Sequence, residues 1–128
     1  MKHILKAVFG PPGRTEVVIT NCYDACLKRR GSLDDRQVRD MLVLEAVVDL
    51  NVLSVSLPAN VIEFLGLSGA EGGGRLAPVE VTIRGRTCTV DPFPSPDERV
   101  VIGHVPLTAL GLTLGTDGRL MDDPYPSR

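Results

Sequence analysis

The sequence predicts a mainly β domain with two short helices. Three observations carry that prediction. The chain has 128 residues, 43% hydrophobic but only 4% aromatic and without tryptophan, so its core must be built from Val, Leu and Ile, and β-branched types among these favour a pleated surface. Thirteen glycines and ten prolines punctuate it, which favours many short strands over a helical bundle. Period-two alternation of apolar and polar residues recurs in short runs that end on turn-forming residues.

A chain of this length holds one domain around one core. Its formal net charge of −2 argues against a general nucleic-acid binder. No apolar run approaches the length of a membrane span. The opening stretch from Met1 to Gly10 is too short and too interrupted for a signal peptide. Three cysteines, Cys22, Cys26 and Cys88, with no secretion signal suggest reduced thiols and a cytoplasmic location. Cys22 and Cys26 lack the two-residue spacer of a zinc knuckle, and neither His3 nor His104 offers an obvious companion ligand. No metal and no cofactor are expected.

Taken in order, residues 2–9 predict an edge strand, and Gly10-Pro11-Pro12-Gly13 a break. Glu16 to Thr20 is a strand. Asn21 to Asp40 is the polar middle of a long hairpin, with a turn and a small strand over Asn21–Leu27. Lys28-Arg29-Arg30-Gly31 reads as a solvated hairpin tip rather than an anion site. Asp34 and Asp35 are adjacent, so on a strand they would point to opposite faces; they are loop residues. A strand over about 38–48 pairs back on 16–20.

The chain is organised around Glu45 to Pro58. An apolar run climbs to Asp49, and a tight step follows. Leu53, Val55 and Leu57 then alternate with Ser54 and Ser56 up to Pro58. Asp49 thus lies at the tip of a loop between two buried stems, as a turn residue or a catalytic one. Pro58 to Gly66 is a short helix with a proline start and a glycine stop. The glycine-rich Ser68–Arg75 is a flexible loop, since no Lys-Ser or Lys-Thr follows it as a phosphate loop requires. Val79, Val81 and Ile83 alternate with polar residues, turn at Arg84-Gly85-Arg86 and return through Thr87–Val90 as a hairpin. Asp91–Asp97 carries three prolines and reads as an exposed connection outside any sheet. Arg99–Gly103 is a buried strand. His104–Gly111 is a helix with Val105, Leu107 and Leu110 towards the core. A final hairpin over 112–121 turns at Thr116-Asp117-Gly118. Domain limits follow: residues 1–15 a strand and linker, 16–122 the domain, 123–128 a polar tail.

One order occurs twice. Val55-Ser56-Leu57-Pro58 to Leu65-Gly66-Leu67, and Val101-Ile102-Gly103 to Leu110-Gly111-Leu112, both run strand, helix, Leu-Gly-Leu. With an aspartate closing the preceding strand, this resembles the retropepsin-like aspartic peptidases over roughly residues 16–122. The resemblance implies half of a closed barrel, one catalytic aspartate per chain at Asp49, and a homodimer that brings two together. Two carboxylates a hydrogen bond apart would share a proton, one acting as base towards water and the other as acid. It also implies that Gly103 closes its strand beside the Asp49 loop, and that the region after Leu67 carries part of the hairpin that covers a bound peptide.

The family motif reads Asp-Thr-Gly-Ala or Asp-Ser-Gly-Ala; here it reads Asp49-Leu50-Asn51-Val52. Leu50 lacks the hydroxyl that ties the two loops together across the dimer. Asn51 brings a side chain where the family has none, although Asn tolerates a left-handed turn. Val52 replaces a small Ala, and such bulk costs on the order of 1–3 kcal/mol unless neighbours adjust. Residues 68–78 show no alternating strands for a covering hairpin. The sequence therefore reads as a non-catalytic, retropepsin-like binding or structural subunit. It would be dimeric or part of a larger complex, with a peptide or protein ligand. The alternative is an active aspartic endopeptidase using Asp49 from each of two chains. A third reading is a β-rich protein whose Asp49 is only a turn residue.

Overall fold

The computed structural model describes residues 12–68 and 75–124. β1 (Arg14–Asn21) leads into α1 (Cys22–Arg29), a 3₁₀ turn at Asp35–Gln37 and β2 (Asp40–Val48). β3 (Val55–Leu57) and α2 (Ala59–Leu65) follow, then β4 (Val79–Ile83) and β5 (Arg86–Val90). β6 (Pro92–Pro94), β7 (Val101–Ile102) and α3 (His104–Ala109) precede the closing pair β8 (Leu112–Leu114) and β9 (Leu120–Asp122). The predicted mainly β class stands, with one helix more than predicted. The edge strand expected at 2–9 lies outside the described residues, as do 69–74 and the tail beyond 124.

Seven strands form one sheet in the order β5-β4-β1-β2-β7-β3-β6, and β8 with β9 forms a second. Val17 and Ile19 of β1, Val79, Val81 and Ile83 of β4, Val55 and Leu57 of β3 and Ile102 of β7 all enter one core. Leu65 of α2, Leu107 of α3, Leu112 of β8 and Leu120 of β9 join it. Each such side chain stabilises the fold by about 1.5–3 kcal/mol relative to exposure. To share one core, the sheet curls towards closure. Its outermost strand β5 reaches α3, where Arg86 Nη1 donates to the Leu110 carbonyl at 3.0 Å.

The β1–β2 pairing is as predicted, with Val17 opposite Val43 and Thr20 opposite Asp40. The β4–β5 hairpin turns on Arg84 and Gly85, both at positive φ (53° and 78°); that mirror-image turn matches the twist of the flanking strands. Both Leu-Gly-Leu steps fold alike. Gly66 (φ 65°) and Gly111 (φ 71°) adopt the left-handed conformation that lets each helix stop and each following leucine turn inward.

Four expectations are overturned here. Asn21–Leu27 is not a turn and a small strand but the start of α1. Asn21 Oδ1 accepts from the Asp24 N–H at 3.1 Å, capping the helix. Asp24 in its first turn and Lys28 and Arg29 in its last suit the helix dipole. The basic run is accordingly no free hairpin tip: Arg29 binds Glu80 at 2.7 Å, and Lys28 pairs with Asp35. Asp91–Asp97 does enter the sheet, because Pro92–Pro94 lies parallel to β3 as β6. It is the last strand in the order, where a proline's missing N–H can face away from the ladder. Val105 is exposed (41%) rather than directed to the core, which Pro106, Leu107 and Leu110 reach instead.

A polar hub fastens α1 to the rest. Arg39 donates from its backbone N–H and Nε to Asp24 Oδ2 (2.9 and 2.7 Å) and from Nη2 to Oδ1 (3.0 Å). These bonds hold the Asp24 carboxyl below the usual carboxylate range against the opposing effect of burial. Asn21 Nδ2 donates to the Leu65 carbonyl at 2.8 Å, tying the end of β1 to the end of α2. The Arg39 guanidinium occupies the space a side chain at Gly66 would need.

Candidate functional site around Asp49

β2 delivers Asp49 to a loop whose backbone is held at every step. The Asp49 N–H donates to the Ile102 carbonyl at 3.0 Å. Asp49 Oδ1 accepts from the Asn51 N–H at 2.9 Å, and the Val52 N–H donates to the Asp49 carbonyl at 3.1 Å. The result is an aspartate turn nested within a β-turn. The carbonyls of Val52, Leu53 and Ser54 then accept from the N–H groups of His104 (2.8 Å), Val105 (2.8 Å) and Gly103 (2.7 Å). The first amides of α3, which have no partner within their own helix, are thus spent on the loop. Ser54 is buried, and its Oγ donates to the Asp91 carbonyl at 2.8 Å.

The strands explain this holding. β7 runs parallel to β2, with Val47 opposite Val101 and Val48 opposite Ile102. It runs antiparallel to β3, with Val55 opposite Ile102 and Ser56 opposite Val101. The two stems of the Asp49 loop therefore straddle β7. Gly103 lies at the exit of β7, directly behind the loop. A Cβ there would stand 2.2 Å from the Val52 oxygen and 2.3 Å from the Ser54 oxygen. Its φ of −99° suits any residue, so what the position demands is space.

The predicted site residues lie together on this loop. Asp49 and Val52 are half-buried, Leu50 is 41% exposed and Asn51 is exposed. Among the described residues outside glycine only Arg84 has positive φ, so Asn51 does not use the left-handed turn that its side chain tolerates. The alternation read from Leu53 to Leu57 holds at Val55 and Leu57 but fails at its first member. Leu53 is 66% exposed and Ser54 is buried. The strand begins only at Val55, and the carbonyls on either side of Leu53 are already committed to His104 and Gly103, which turns its side chain outward. Leu53 and Val105 are the residues that sequence reasoning missed. The available signal was the excess of apolar residues, Leu50, Val52 and Leu53, within a loop only six residues long before the buried Val55.

After α2 the chain is not featureless. Ser68 bridges Leu76 antiparallel, and the Ala77 N–H donates to the Leu67 carbonyl at 2.8 Å. A single antiparallel bridge thus joins the two sides of the glycine-rich 69–74, while no strand is formed between α2 and β4 among the described residues. A groove of about 400 Å³ beside this bridge is lined by Ala59, Ile62, Glu63, Gly66, Ser68 and Leu76. Among the described residues, no three His, Cys, Asp or Glu side chains form a cluster able to hold a metal ion. No helix among them is long and apolar enough to cross a membrane.

The chain is similar to the retroviral protease-like domain of Ddi1 from Leishmania major, whose crystal structure aligns at 13% sequence identity with a TM-score of 0.48. That alignment covers 91% of this chain and 98% of the other. No protein-family model matches the sequence. No curated protein matches it either.

Proposed function

We propose that this chain is a retropepsin-like domain without peptidase activity, and that it works as a binding subunit by pairing with a second copy through the face around Asp49. The observation that carries the proposal is the apolar surface beside the aspartate. Leu50, Leu53 and Val105 are all exposed on two segments that are hydrogen-bonded to each other. Leaving them in water forgoes about 25 cal/mol for each Å² that a partner could cover. The retropepsin-like reading is supported by the repeated strand–helix–Leu-Gly-Leu order and by Gly103 behind the loop, where the resemblance implies it.

The loss of catalysis is argued from the same loop. In the resembled family a hydroxyl after the aspartate ties two loops together, and Leu50 offers none. Asn51 and Val52 add bulk where two loops and a substrate must meet. The loop backbone around Asp49 is nevertheless well ordered by β7, and this favours the rival, a two-chain aspartic endopeptidase. A diverse peptide library incubated from acid to neutral pH separates the two. The proposal expects no cleavage. Cleavage by the wild type that disappears in Asp49→Asn establishes the endopeptidase instead.

A further inference from the structure

We propose that Cys22 and Cys26 form a two-coordinate binding site for copper(I). The helix that replaced the expected turn and strand puts these residues four apart on one face of α1. Side chains so spaced are neighbours, with Cβ atoms about 5–6 Å apart. Burial pushes the Cys22 thiol up, as do its neighbours Cys26 and Glu80, so the two thiols lie within electrostatic reach of each other. Both thiols are free, Cys22 half-buried and Cys26 exposed, so the pair is reachable from solvent at one end.

This spacing discriminates between two fates of a thiol pair. A disulfide needs Cβ atoms about 3.5–4.5 Å apart, which an undistorted helical turn does not provide. Two thiolates bridged by one metal ion need their sulfurs only about 4–5 Å apart, taking the zinc–thiolate bond of about 2.3 Å as a guide, a span within reach of side chains one helical turn apart. Thiolates select soft ions, copper(I) foremost. Zinc in a structural site takes four ligands, and no third His, Cys, Asp or Glu among the described residues completes a cluster here.

Arg29, one turn further along the same face, brings a cation near the pair, although Glu80, which also acts on Cys22, already matches its charge. It is bound to Glu80 at 2.7 Å and interacts electrostatically with both cysteines. Copper(I) entering the site displaces one proton from each thiol to solvent, and two copper–sulfur bonds form. No electron is transferred. The resulting complex carries one negative charge beside the guanidinium.

The test is an anaerobic titration of the reduced protein with copper(I) buffered by a chromogenic bicinchoninate chelator. Wild type is expected to withhold one equivalent from the chelator. Cys22→Ser and Cys26→Ser are each expected to lose that retention by at least a hundredfold in affinity, while Cys88→Ser keeps it. Far-UV circular dichroism checks that each variant folds. In parallel, mild oxidation with diamide is expected to leave the 22–26 pair unbridged in the folded wild type. Failure of the folded wild type to retain copper, or equal loss in Cys88→Ser, overturns the proposal. So does ready formation of a 22–26 disulfide with the helix intact.

Discussion

The N–H of Gly103 donates to the carbonyl of Ser54 at 2.7 Å, and the same glycine leaves a side chain no room between that oxygen and the one on Val52. Both obstructing atoms belong to backbone that is itself hydrogen-bonded, so neither can withdraw cheaply. Gly103→Ala is expected to cost about 3 kcal/mol by overpacking, read from urea denaturation. Gly111→Ala is the comparison. Its strain is the left-handed φ of 71°, with only the tip of Arg86 nearby, so the loss should be about 1–2 kcal/mol. Equal losses at the two positions would contradict the distinction between space and conformation.

The pair of Asp24 and Arg39 predicts a pH dependence. The hydrogen bonds from Arg39 lower the Asp24 pKa from its ordinary value of 3.8. A carboxylate with a depressed folded pKa adds stability above its unfolded pKa, and loses it as pH falls through the folded value. Asp24→Asn should therefore be less stable than wild type by about 1–3 kcal/mol at pH 6. The gap should hold down to about pH 4 and close below it. A gap independent of pH down to 2 would rule out the carboxylate as its origin.

Asn21 does two jobs with one side chain. Its oxygen caps α1 and its nitrogen satisfies the Leu65 carbonyl, and the residue is buried. Asn21→Ala is expected to cost about 2–3 kcal/mol, the cap and an unsatisfied buried carbonyl together. Asn21→Ser retains a capping oxygen and should lose about half of that. Thermal melts of the two variants against wild type check the order.

Association through the Asp49 face predicts a concentration-dependent mass. Sedimentation should show dimer at roughly 100 μM, an estimate for a modest interface. Leu50→Ser with Leu53→Ser should weaken it at least tenfold, while Leu44→Ser, on the outer side of β2, leaves it unchanged. A strict monomer at high concentration would remove the second-copy assignment.

Much of the fold was legible because its signals are local. The alternation of Val79, Val81 and Ile83 needs only a strand to explain it, and a proline start with a glycine stop needs only a short helix. α1 was illegible because eight residues give too little periodicity, and its cap, Asn21, also reads as a turn residue. β6 was hidden because proline argues against a sheet except at an edge, and strand order is not written in local sequence. Within the candidate site, the sequence puts Asp49, Leu50, Asn51 and Val52 on one loop between two strands, and the backbone agrees with that placement. The outward turn of Leu53 was not legible, since it follows from bonds to Gly103 and His104 some fifty residues away in the chain.

The passage of β7 between β2 and β3 also sets an order of assembly. On a ribosome, residues 47–56 emerge long before Val101 and Ile102, yet the sheet has a gap between β2 and β3 that only those two residues fill. The Asp49 N–H has no acceptor, and the carbonyls of Val52, Leu53 and Ser54 have no donors, until synthesis passes residue 105. Such distant pairing carries a loop-closure cost that must be met before the contacts repay it. A chain released at residue 98 should accordingly show no cooperative unfolding transition, although it contains every residue of the motif. Whatever the aspartate loop binds, it becomes competent only once β7 and the start of α3 have joined it.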